Sequence, residues 1–234
     1  MRALAYFLVL YFAFSVPAFS AAAKDSPSKE IKAAASCPEQ KKLSAKEVLA
    51  KLEAWDSKLN SLDISFTQEV WFKEADLKQT VEGNMQYLKP NMLRVEHTAP
   101  NKQIITTDKK LITIYKPDDR QAINATWDGW VRTQNQSFYG VLDFGNYSSL
   151  SKKNDYKVSG GGCEPYIITF TPKEGTKYSL EITLSQKDYF PSKAALTVGS
   201  AVTTTVIKKS SKNTTLDKAI FVQNLPAKTD IINF

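Results

Sequence analysis

From Asp63 onward the apolar residues of this chain fall repeatedly at every second position. Ile64, Phe66, Val70 and Phe72 alternate with Ser65, Thr67, Glu69 and Trp71. Val81, Gly83, Met85 and Tyr87 alternate with Thr80, Glu82, Asn84 and Gln86, and Tyr178, Leu180, Ile182 and Leu184 alternate with Ser179, Glu181, Thr183 and Ser185. A period of two sends successive side chains to opposite faces of a strand, so each run has one apolar and one polar face. That is the signature of antiparallel sheet wetted on one side. Leu111 to Tyr115, Tyr166 to Thr171, Leu196 to Val198 and Ala201 to Ile207 add further strands. The total, about ten, is too many to lie flat without curling. Polar turns separate them at Lys73 to Asp76, Asp108-Lys109-Lys110 and Gly160-Gly161-Gly162.

Ahead of the strands the period is helical. Ser44-Ala45-Lys46-Glu47 matches a capping box, in which hydroxyl and carboxylate satisfy orphan amides at a helix start. Val48, Leu52, Trp55, Leu59 and Leu62 follow at three- and four-residue steps and make one apolar stripe. Periodicity does not separate a stripe packed on a core from one covering a cavity. Between Gln134 and Lys153 the alternation lapses, and Phe138, Tyr139, Val141, Leu142, Phe144, Tyr147 and Leu150 predict one or two short helices. A sheet with a polar outer face must cover its inner one, and these helices are the available covers.

Residues 1–20 read as a secretory signal peptide. Arg2 supplies one positive charge, an apolar run contains Phe7 to Leu10, Phe12 and Phe14, and small residues follow Pro17, with cleavage after Ser20 or Ala22. The apolar run is near the lower limit for spanning a bilayer, but the small residues before a polar stretch favour cleavage over an uncleaved anchor. Residues 21–41, rich in Ala, Lys, Ser and Pro, read as a flexible tether. Residues 42–234 are enough for one well-buried domain and few for two.

The chain carries 31 basic and 24 acidic residues; removing Arg2 with the signal leaves 30 against 24, a net charge of +6. The basic residues are scattered, which suits a surface working near anionic membranes better than a nucleic-acid groove. The two cysteines, Cys37 and Cys163, predict a disulfide in an oxidising compartment. An acylated Cys37 is rejected because Lys24, Asp25, Lys29, Glu30 and Lys32 separate it from the apolar run.

No catalytic machinery is legible. The single histidine, His97, excludes a zinc-protease histidine pair, and there is neither a Gly-x-Ser-x-Gly elbow nor a glycine-rich phosphate loop. We expect no enzyme activity, no metal and no cofactor. Four Asn-x-Ser/Thr triplets, starting at Asn124, Asn135, Asn146 and Asn213, are explained by the abundance of Ser and Thr.

One block goes further. Lys89-Pro90-Asn91, the strand Met92 to His97, Thr98-Ala99-Pro100, the strand Asn101 to Thr107 and Asp108 closely resemble the central hairpin of the LolA family of periplasmic lipoprotein carriers. Phe66-Thr67-Gln68, Tyr115, Pro117, Thr171-Pro172-Lys173, Phe221, Pro226, Thr229 and Asp230 fall in the family's order. The resemblance implies a mainly β fold: an incomplete, strongly curved antiparallel β-barrel with helices covering a hydrophobic cavity. It implies a monomeric periplasmic chaperone that takes acylated lipoproteins from an inner-membrane transporter to an outer-membrane receptor. On that reading Leu52, Trp55, Phe66, Met85, Leu93, Val95 and Ile114 face acyl chains, although each is equally readable as ordinary core. Lys89 stands where the family commonly has an arginine that latches the helical lid, and lysine replaces its planar fork with a flexible ammonium. The alternative is a related half-barrel that binds lipid or lipoprotein as a sensor in the cell envelope.

Overall fold

A computed structural model describes residues 42–133, 147–175 and 177–234. The proposed signal peptide and tether, Cys37 and residues 134–146 lie outside the described residues. Everything described belongs to one unit, Cys37–Phe234.

The chain enters through α1 (Ala45–Ser57). Its capping box is formed as the sequence predicts: the Ser44 N–H donates to Glu47 Oε2 at 2.8 Å and the Glu47 N–H to Ser44 Oγ at 3.3 Å. The helix stops earlier than the apolar stripe suggests. Lys58 closes it, the Leu59 N–H returns to the Asp56 carbonyl, and Leu62 already belongs to the first strand. Asn213 explains the sharp exit. Its Oδ1 accepts from the Asn60 N–H at 2.7 Å and its Nδ2 donates to the Lys58 carbonyl at 3.2 Å, so the link is held by a residue just past the end of β11, the strand beside β1.

Twelve strands follow among the described residues: β1 (Ser61–Phe72), β2 (Leu77–Leu88), β3 (Met92–Ala99), β4 (Gln103–Thr107), β5 (Leu111–Lys116), β6 (Gln121–Thr126), β7 (Asn154–Gly161), β8 (Glu164–Pro172), β9 (Ser179–Leu184), β10 (Pro191–Val198), β11 (Ala201–Lys212) and β12 (Asp230–Asn233). They form one sheet in the order β12-β6-β5-β4-β3-β2-β1-β11-β10-β9-β8-β7. The sheet is open and curled, a half-barrel whose edges, β12 and β7, do not meet. The longer of its two chain-distant joins is β1 with β11, eleven residue pairs long with one bulge between Ser65 and Phe66. The expectation of an antiparallel sheet holds except at one edge, where β12 pairs with β6 in parallel. The turn after β7 is also later than predicted: Gly160 and Gly161 still belong to the strand, and Gly162 and Cys163 make the turn.

Two short helices, α2 (Trp127–Thr133) and α3 (Tyr147–Lys153), join α1 on the inner face. Val48, Leu49 and Leu52 of α1 and Tyr147 and Leu150 of α3 are buried in one cluster with the inward residues of β1 to β5 and β8 to β10. Trp127 and Trp130 of α2 pack against the same cluster. The outer face has a smaller one, in which Ile104, Tyr115 and Ala122 are covered by Leu225 of the returning C-terminal segment. That segment is also tied down where Arg94 Nη1 donates to the Ile220 carbonyl at 3.2 Å.

Candidate functional site

The strand registers stack the inner face of β1 to β6 into rows. The row nearest α1 runs Leu62, Tyr87, Leu93, Thr107, Ile112, Ala125, and the next runs Ile64, Met85, Val95, Ile105, Ile114, Ile123. A third row begins with Phe66, Gly83, His97 and Gln103. Period-two alternation therefore built a nearly continuous apolar floor two rows deep, bordered by a row that turns polar.

All seven residues predicted to face acyl chains share this cluster. Leu93 lies in the first row; Met85, Val95 and Ile114 lie in the second; Phe66 opens the third. Leu52 reaches the cluster from α1, and half-buried Trp55 packs against it. The Trp55 ring meets the edge of Phe190 at a centroid distance of 5.1 Å and Tyr147 at 6.4 Å. Leu52, Met85, Val95 and Ile114 are 0–3 % exposed, so the floor is covered in this conformation.

Polar contacts tie α1 to the sheet and to α3, where the Ser151 hydroxyl donates to Glu53 Oε1 at 2.8 Å. Lys89, in the turn between β2 and β3, donates from Nζ to the carbonyl of Ser57, the last residue of α1, at 3.2 Å. Its backbone N–H donates to the Asn60 carbonyl at 2.8 Å. The structure thus brings the predicted latch residue to the helix end. At the other end of the helix the Leu43 N–H donates to the Tyr166 hydroxyl oxygen at 2.8 Å. Sequence reasoning missed Asp56. Its carboxylate is buried, and Oδ2 accepts from the Tyr147 N–H at 2.8 Å, which joins α1 to α3. A lone aspartate near a helix end carries no sequence signal for such a distant partner.

Among the described residues no group of three or more His, Cys, Asp or Glu side chains could hold a metal ion. No helix among them is long and apolar enough to cross a membrane. Cys163 lies in the β7–β8 turn, and no described cysteine is free.

The family model described as outer membrane lipoprotein carrier protein LolA matches residues 57–224, from the end of α1 to beyond the segment that covers β3. The chain belongs to the LolA family. A protein of Yersinia enterocolitica named outer-membrane lipoprotein carrier protein is 28 % identical over 130 residues, 52 % of this chain and 63 % of that protein. One of the same name from Yersinia pestis (strain Angola) is 28 % identical over 125 residues, 50 % of this chain and 61 % of that protein. The match thus spans less than two thirds of these curated LolA-family relatives. Among solved structures, an uncharacterised conserved protein from Thermus thermophilus aligns with a TM-score of 0.53 at 12 % identity. The alignment covers 81 % of this chain and 99 % of that one. At that identity the likeness concerns the fold, the same open sheet that the registers describe here.

Proposed function

We propose that this protein is a non-catalytic periplasmic carrier that shields the acyl chains of lipoproteins on its inner sheet face while they pass from the inner to the outer membrane. The observation that carries this reading is the two-row apolar floor covered by separate short helices. Family membership and the name shared by the Yersinia relatives support it.

The energetics suit a shuttle. Each CH₂ removed from water contributes about 0.8 kcal/mol, so one long acyl chain brings roughly 10 kcal/mol or more. Affinity is abundant; release is the harder problem. Opening this fold separates Leu52 and Trp55 from the floor and breaks the bonds at Lys89 and Asp56, and that cost lowers the net affinity for cargo. A carrier that closes again without cargo recovers the cost on unloading, which favours transfer.

In this reading residues 1–20 direct export and are removed, residues 21–41 form a flexible tether, and the mature protein works as a monomer. An inner-membrane lipoprotein-releasing transporter loads it and an outer-membrane lipoprotein receptor unloads it. The test is release of a lipoprotein from spheroplasts or loaded liposomes by the purified mature chain. A soluble, stoichiometric complex that passes its cargo to acceptor outer membranes is the expected result. A chain that removes no lipoprotein from the membrane, or that holds it without passing it on, is not a shuttle.

A further inference from the structure

The third row of the inner face breaks the apolar pattern at adjacent strands. His97 and Gln103 are register partners on β3 and β4, and their side chains meet, with His97 Nδ1 3.2 Å from Gln103 Oε1. Both residues are only partly buried. They sit one row beyond Val95 and Ile105, a step of about 7 Å along the strands.

What holds the imidazole there is specific. Gly83 lies between Phe66 and His97 in the row, and its missing side chain leaves space that the Phe66 ring fills. A Cβ at Gly83 would come within 2.9 Å of Phe66 Cζ. The Phe66 ring in turn meets His97 edge to face at a centroid distance of 6.2 Å. Burial pushes the His97 pKa down, with the Gln103 bond acting weakly the other way, so the ring is neutral at neutral pH. A neutral ring whose Nδ1–H donates to Gln103 Oε1 keeps a lone pair on Nε2. Among the described residues neither that nitrogen nor the Gln103 amide N–H₂ has a further partner.

We propose that His97 and Gln103 form a polar subsite for the acylated-cysteine head of a lipoprotein, the group where its acyl chains converge. The inference rests on the carrier reading and assigns the two ends of the cargo. The chemistry is complementary. An acylated cysteine presents ester and amide carbonyls, which accept, and one amide N–H, which donates. Gln103 offers two donors to the carbonyls, and His97 Nε2 accepts from the amide. The chains then continue over the Ile64–Met85–Val95 row toward α1. Left without partners near an apolar floor, those head-group dipoles would carry a desolvation cost that this pair removes.

The experiment compares two ligands on the mature protein by calorimetry. One is a synthetic triacylated cysteinyl lipopeptide. The other is an analogue of equal chain length in which methylenes replace the ester and amide carbonyls. The protein should bind the lipopeptide more tightly. His97→Phe and Gln103→Leu should each weaken lipopeptide binding by about five- to tenfold, the scale of one hydrogen bond, and leave analogue binding unchanged. Gln103→Leu carries the comparison alone if the Phe66 contact makes His97→Phe unfold, which thermal melting reports. Equal effects on both ligands, or none on the lipopeptide, would overturn the subsite while leaving the carrier reading intact. Failure of the unaltered protein to bind either ligand would remove both.

Discussion

The buried carboxylate of Asp56 accepts a hydrogen bond from the backbone N–H of Tyr147, 91 residues further along the chain, at 2.8 Å. Asp56 sits near the end of α1, and Tyr147 opens α3. A carboxylate at a helix start satisfies an orphan amide and meets the positive end of the helix dipole. Together with the Ser151 hydroxyl, which donates to Glu53 Oε1 at 2.8 Å, this bond ties the two covering helices to each other. Asp56→Ala strands a buried N–H, so urea denaturation should show a loss of about 1–3 kcal/mol. Asp56→Asn, which keeps an acceptor, should recover a part of it. A variant as stable as the parent would mean that the two helices are not tied here.

Gly83 is required by its neighbours and not by its dihedral angles. A Cβ there would meet the Glu96 carbonyl oxygen at 2.6 Å as well as the Phe66 ring. The ring has a rotamer to yield; the backbone oxygen of the adjacent strand does not. Gly83→Ala should cost about 1–3 kcal/mol by overpacking. Phe66→Leu in the same chain should recover only the share owed to the ring, which a double-mutant cycle of unfolding free energies measures.

Much of this architecture was legible because half-buried strands write their period into the sequence. β2, β9 and the first half of β1 follow the alternation, and Ser44 with Glu47 announces α1. The strands that were missed show why others are silent. β6 turns small Ala122 and Ala125 inward on its two faces, β7 mixes Asn154 and glycines with its apolar residues, and β12 is an exposed four-residue edge. The second half of β1 misled in the opposite sense: Phe72 keeps the alternation yet is 39 % exposed, because the strand outruns the core. Period alone puts the seven apolar site candidates on buried faces, and only the family resemblance proposes that those faces meet acyl chains. Asp56 and the His97–Gln103 pair could not be found by period, since their meaning depends on which strands and helices become neighbours.

His97 places an upper step in the dependence of stability on pH, and Asp108, Glu96 and Asp188, all held below their ordinary values, share a lower one. Burial holds the His97 pKa below its ordinary value, so between the folded value and the unfolded one, about 6.5, the unfolded chain binds more protons. Stability contributed by the neutral ring is thus complete above about pH 6.5 and falls as the pH drops through that window. The ring's contacts, Phe66 and Gln103, are not ionisable in this range. Asp108 is held low by the backbone N–H groups of Leu111 and Lys110, so its contribution persists until about pH 4 and is lost below it. Urea midpoints measured across pH should show both steps, and His97→Gln should abolish only the upper one.

Cys163 marks the turn at the sheet's β7 edge, and we expect it to be bonded to Cys37 in the exported protein. On the chain-entropy model a loop of this length contributes about 4–5 kcal/mol. Thiol labelling under denaturing, non-reducing conditions should detect no free cysteine. Two labelled thiols would refute the pairing. Reduction should lower the unfolding midpoint and spare cargo binding, because Cys163 lies outside the apolar rows.

Lys89 completes α1 with a charge the helix lacks. No basic residue occupies the last turn of α1, whose carbonyls carry the negative end of the helix dipole, and the Lys89 ammonium is supplied to Ser57 from the β2–β3 turn. The side chain is exposed, so the contact is screened and contributes at most about 1 kcal/mol. Lys89→Leu should therefore leave the fold standing while letting the end of α1 open more often. Amide hydrogen exchange is the direct readout, with faster exchange between Leu52 and Ser57 and unchanged rates in β2 and β3 away from the turn. Lys89→Arg should slow the same amides, because a guanidinium presents several donors in a fixed plane. If closure of α1 restrains cargo binding, the leucine variant should accept lipoprotein more readily and release it less readily, with the arginine variant shifted the other way. Altered exchange with unchanged transfer would show that α1 opens independently of loading.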